Sequence, residues 1–122
     1  MSIKNRKNFP LPERPKHAFC CVNGTLIVSD KRNNCVYFIN TDGEIMEQID
    51  HYPGSIAQND KEHIFITDSE QGTISVFDYT GKWHSEIKFG KWQKLPKCIS
   101  IMDDKLLVAT RHKILLCELK LK

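Results

Sequence analysis

Long apolar runs are missing from this chain. Nothing in its 122 residues approaches the roughly 18 apolar residues in a row that a spanning helix requires, so no membrane contact is expected. The start, Met1 to Asn8, is basic but lacks a following apolar segment, which argues against a secretory signal. Cys-x-x-Cys is absent, so a structural zinc site has no support. The five cysteines (Cys20, Cys21, Cys35, Cys98 and Cys117) are odd in number, and two are adjacent. They fit a reducing, cytoplasmic setting and read as small core residues rather than a disulfide framework. No Gly-x-Ser-x-Gly elbow, phosphate loop or dinucleotide fingerprint occurs, and His17, His51, His63, His84 and His112 form no ligand pair. A non-enzyme without cofactor or metal is expected. A strong charge of one sign is lacking too: 18 Lys and Arg face 15 Asp and Glu, a net +3, so the placement of charge matters more than its total.

What is present suits one folded domain: 40% apolar and 27% charged residues exclude global disorder. The chain also repeats itself. Setting Pro15 on Pro53, 38 residues on, aligns Asp30 with Asp68, Gly43 with Gly81 and Ile49 with Ile87 without a gap. Leu26-Ile27-Val28-Ser29-Asp30 then lies over Ile64-Phe65-Ile66-Thr67-Asp68, and Val36-Tyr37-Phe38-Ile39 over Ile74-Ser75-Val76-Phe77. A third copy starts at Pro96, with Leu106-Leu107-Val108-Ala109-Thr110 and Ile114-Leu115-Leu116-Cys117 as its second and third runs.

Each copy reads as β. Its runs are short, rich in Ile, Val, Phe, Tyr and Thr, and separated by turn signals. Asn23-Gly24 is the strongest two-residue hairpin signal; Asp42-Gly43, Thr80-Gly81, Asn59-Asp60 and Asp103-Asp104 mark further turns. No stretch shows good helical periodicity. The second run of each copy is apolar at consecutive positions, so Leu26–Val28, Ile64–Ile66 and Leu106–Val108 are expected to be buried on both faces. Asp30 and Asp68 read as acceptors for following turn amides rather than metal ligands. The prolines fix the chain where it enters a first strand.

Four short antiparallel strands per roughly 40 residues describe a β-propeller blade. The fold class is therefore all-β: a partial β-propeller of about three four-stranded antiparallel blades, the last incomplete. The chain resembles the NHL-repeat family through Pro53, Ser55-Ile56-Ala57, Ile64-Phe65-Ile66-Thr67-Asp68, Ile74-Ser75-Val76-Phe77-Asp78 and Gly81. Copy one carries Asn40 in place of the second Asp, and copy three carries Thr110 in place of the first. The reading divides the chain into a basic N-terminal extension, 1–14, and NHL-like blades over 15–122, at about 15–50, 53–89 and 96–119. In TRIM-type NHL proteins, to which this part is similar, the propeller is the substrate-recognition part of a ubiquitin-ligase-type scaffold. No RING or coiled coil is present, so the resemblance implies recognition rather than ligase chemistry here. Enzymatic propellers related to the family, an amidating lyase and calcium-dependent lactonases, gather ligands from many blades, which three cannot supply.

Propellers close with about four to eight blades, so one copy cannot form a ring. Two copies would give about six blades; otherwise the chain is a structural fragment of a longer protein. Both end blades are expected to expose apolar faces and to drive self-association, unless residues 1–14 lend a strand.

Strand alternation separates the loops into two edges. The edge with the second turns and the inter-blade connections holds nine Lys and Arg against five acids; the other holds three Lys against six. Such a separation orients an approaching anion. On the basic edge, Lys31, Arg32, Tyr52, Lys91, Trp92, Lys94, Arg111, His112 and Lys113 are the candidate partner-binding or RNA-binding residues. Basic side chains mixed with aromatics suit single-stranded RNA, and several NHL propellers bind RNA there. Three readings stand open for this edge: a solvated rim, which weighs most, a protein partner, and single-stranded RNA, ranked below the protein partner. Trp92 also fits as a core plug at a blade junction.

Overall fold

The computed structural model describes residues 2–6, 8, 17–20, 23–30, 32–50, 53–68, 71–88, 97–110 and 112–120. These form three antiparallel sheets and no helix. The first sheet runs β1 (His17–Cys20), β2 (Leu26–Asp30), β3 (Cys35–Ile39) and β4 (Ile45–Asp50) in sequence order. The second repeats it with β5 (Pro53–Gln58), β6 (His63–Asp68), β7 (Thr73–Asp78) and β8 (Trp83–Lys88). The third has three strands: β9 (Cys98–Met102), β10 (Lys105–Ala109) and β11 (Ile114–Glu118). The repeat reading thus holds as three consecutive meanders. Pro53 opens β5, a position that needs no ladder N–H. Pro15 and Pro96 lie outside the described residues.

The sheets stack through their apolar faces. Between the first and second sheets, Ile27, Val36 and Phe38 meet Ile64, Ile66 and Phe77. The Phe38 and Phe77 rings sit edge to face with centroids 5.9 Å apart. Between the second and third, Ala57, Phe65, Ile74 and Val76 meet Ile99, Leu106 and Val108. A polar strut spans this second junction, where the Ile99 amide donates to the Ser55 hydroxyl at 3.1 Å. Consecutive apolar residues in β6 are therefore used fully: Ile64 and Ile66 face one neighbour and Phe65 the other.

Turn chemistry follows the expectations at the strand ends. Asp30 Oδ1 accepts from the Arg32 and Asn33 amides at 3.1 and 3.2 Å, and its Oδ2 accepts from the Asn33 side chain at 2.9 Å. Asp68 Oδ1 accepts from the Gln71 amide at 2.9 Å. Thr110 does the same with a hydroxyl, accepting from the Lys113 amide at 3.0 Å. Asn23-Gly24 does mark a turn, with Gly24 at φ 91°, between Cys20 and Leu26, which pair across it.

Three burial expectations need correction. Leu107 is 43% exposed, because its strand alternates inward and outward and, among the described residues, only the inward side, Leu106 and Val108, has a neighbouring sheet. Cys98 is exposed on that same outward side, so it is not a core cysteine, whereas Cys35 is. The outer face of the first sheet is closed rather than open: Val28, Cys35, Tyr37 and Ile39 are all buried. Residues 2–6 and 8 are exposed and form no strand; the remainder of the 1–14 extension lies outside the described residues.

Candidate interaction surfaces

Three surfaces emerge from this stack. The first is the acidic edge. Here three turns share one design, with an Asx residue at 40, 59 and 78 whose Oδ1 accepts two nearby amides. Asn40 accepts from Asp42 and Glu44, Asn59 from Lys61 and His63, and Asp78 from Thr80 and Lys82, all at 2.9 to 3.0 Å. The fourth position of each turn is left-handed: Gly43 at φ 84°, Glu62 at 65° and Gly81 at 94°. The even 19-residue spacing of these three residues is a sequence signal that the 38-residue comparison passed over. Hydrogen bonds from Thr80 and Lys82 outweigh partial burial and hold the Asp78 carboxyl below its ordinary range. At Asp30 the Asn33 side chain, with the Asn33 and Arg32 amides, has the same effect. Where the β5–β6 turn meets the β9–β10 turn, an open cleft of about 320 Å³ is lined by Asn59, Asp60, Lys61, Asp103, Asp104, Leu119 and Lys120.

Beside that edge two imidazoles meet. His63 and His84 lie edge to face with ring centroids 4.8 Å apart. The contact depends on an irregularity in β8: Val76 pairs with Ser85 and Phe77 with Trp83, which leaves His84 bulged. Partial burial, then the neighbouring His84 and Lys61, push the His63 imidazole below its ordinary value against the pull of Asp78. Among the described residues no three His, Cys, Asp or Glu side chains are grouped to hold a metal ion.

The second surface is the basic edge. Arg32, in the β2–β3 turn, and His112 and Lys113, in the β10–β11 turn, are exposed on it. Lys31, Tyr52, Lys91, Trp92, Lys94 and Arg111 lie outside the described residues.

The third surface is the outward face of the third sheet. Leu107 pairs directly with Leu116 across β10 and β11, and Ala109 with Ile114. Met102 is 76% exposed, Ile114 72% and Leu116 66%, so an apolar stripe runs across this face. Single exposed apolar residues are ordinary, whereas here several share one sheet face.

Solved structures share this arrangement. Virginiamycin B lyase from Staphylococcus aureus superposes with a TM-score of 0.65 at 19% identity, over 92% of this chain and 44% of that one. The WD40 domain of Neurospora crassa Pan2 gives 0.65 at 15% identity, over 85% and 32%. The fold is that of a partial β-propeller. BamB from Moraxella catarrhalis agrees, with a TM-score of 0.63 at 17% identity over 84% and 31%. The chain thus spans less than half the length of each of these structures. No family model and no curated protein matches the sequence. The likeness reaches the propeller fold, while the NHL resemblance rests on the sequence motifs alone.

Proposed function

We propose that this chain is a non-catalytic interaction module whose propeller blades present a surface to a protein partner. The exposed face of the third sheet carries the reading. It exposes Met102 together with Leu107, Ile114 and Leu116, and Leu and Ile are residue types that the inner sheet junctions bury. Burying such carbon is worth about 25 cal/mol per Å², so an uncovered stripe favours a partner that covers it. Substrate recognition within a ubiquitin-ligase-type scaffold is the finer form of this reading, and it rests on the NHL resemblance. Affinity capture with wild-type chain and with Leu107→Lys or Leu116→Lys as bait tests it. A partner held by wild type and lost from both variants supports the reading; equal capture by all three contradicts it.

A second reading, single-stranded RNA on the basic edge, is favoured by the exposure of Arg32, His112 and Lys113 there. Phosphate contacts make such binding fall steeply between low and physiological salt. Filter binding with mixed-sequence single-stranded RNA checks it: Arg32→Glu should weaken retention, and no retention even at low salt removes this reading.

A further inference from the structure

We infer that the outward face of the third sheet is a two-fold interface on which a second copy of this chain packs, sheet against sheet, with strands antiparallel. This rests on the interface reading above and names its partner. A head-to-tail ring of two copies would seat this face on the outer face of the other copy's first sheet. The centre of that face is already closed, with Val28, Cys35, Tyr37 and Ile39 all buried, while Ile45 beside Ile39 on β4 is exposed. The surface left for a second copy to offer is its own third sheet, which makes the contact isologous.

The face is suited to that symmetry. The Leu107 and Leu116 pair sits at its centre, with Met102 towards one end of the strands and Ile114 at the other. An antiparallel two-fold overlay stacks the leucines near the axis and lays like strand over like, so that Met102 of each copy lies towards Cys98 of the other and Ile114 towards Glu118. Charge selects the same direction. The Met102 end carries Asp103, Asp104 and Glu118 against Lys105 and Lys120, and Lys105 pairs Asp104 at 3.7 Å. The Ile114 end carries Lys97, His112 and Lys113, all exposed, and no carboxylate among the described residues. Parallel stacking, the arrangement of successive blades, would oppose like ends; antiparallel stacking opposes unlike ones. Three five-residue strands make a face of roughly 17 by 14 Å, below the ~800 Å² per partner of a standard interface. The dimer is accordingly weak.

Sedimentation velocity on the whole chain from about 1 to 300 µM tests this directly. A dimer fraction that rises across that range is expected, with Leu107→Lys and Leu116→Lys remaining monomeric. Lys113→Glu and Glu118→Lys, both at exposed positions, should each weaken association about fivefold. Mixed together, these two variants should associate more tightly than either does alone, since each then meets an opposite charge. A wild-type monomer throughout overturns the second copy as partner, and so does a mixture no tighter than its components. If that monomer still loses a captured partner on Leu116→Lys, the interface reading survives; a dimer indifferent to Leu116→Lys and Leu107→Lys overturns the second copy as occupant of this face, and capture that is equally indifferent overturns the interface reading too.

Discussion

The second strands of the second and third blades carry nearly the same apolar text and meet different fates. In β6, Ile64, Phe65 and Ile66 are all fully buried, because a sheet lies on either side. In β10, Leu106 and Val108 are buried and Leu107 between them is 43% exposed, because among the described residues only one side has a neighbouring sheet. A strand's sequence therefore sets which way each side chain points, while the stack sets whether that direction is core or surface. The same residue type that holds one blade to the next becomes exposed surface where the stack is open.

The largest effect expected from this contrast is in stability. Phe65→Ala should cost about 3–5 kcal/mol, whereas Leu107→Ala should cost well under 1 kcal/mol because it empties no cavity. Urea denaturation of the two variants measures both, and equal losses would break the comparison. Next comes Gly81, whose turn fixes how closely the second blade sits on the first. A Cβ there would meet Glu47 Cβ at 2.7 Å on a backbone at φ 94°. Gly81→Ala should cost about 1–3 kcal/mol in the same assay.

Smaller differences separate the turn caps. Asp68→Ala should cost about 1 kcal/mol, and Thr110→Ala about half that, since a hydroxyl replaces a carboxylate in the third blade. Thermal melts of both variants would show the order. The carboxylates also make the first two blades acid-sensitive. Asp30 and Asp78 are held below 3.8 in the folded chain, so the unfolded chain takes up protons first. Their contribution is intact above about pH 4 and lost as pH falls through the folded values. His63 lies below 6.5 when folded, so it removes some stability earlier, as pH falls from about 7 past 6.5. The Thr110 cap does not titrate. Melting temperatures from pH 8 to 3 should therefore drop in two steps, and His63→Asn should flatten the upper one.

Much of the fold was legible in the sequence because local rules decide it. Short β-rich runs, glycines at left-handed turns and Asp at strand ends placed the strands, and Asp30 and Asp68 cap their turns as residue chemistry requires. What was not legible depends on contacts between distant segments. Nothing within Leu106-Leu107-Val108 says that one side lacks a neighbour, and nothing within Val28 to Ile39 says that the first blade's outer face is closed. The meeting of His63 and His84 required a bulge whose position no single strand reveals. The cleft lined by Lys61 and Asp104 joins two turns far apart in the chain. The evenly spaced Asx turns at 40, 59 and 78 are the exception, a signal present in the sequence at half the period that was compared.

Two native thiols report on the contrast itself. Cys98 lies on the open face of the third sheet and Cys35 on the closed face of the first. Maleimide labelling of dilute native chain, read by peptide mass spectrometry, measures the accessibility of each. The account predicts rapid modification of Cys98 with Cys35 protected until the chain unfolds, and slower Cys98 modification as chain concentration rises. Protection of Cys98 equal to that of Cys35 in dilute chain would contradict it, since the face would then already be covered.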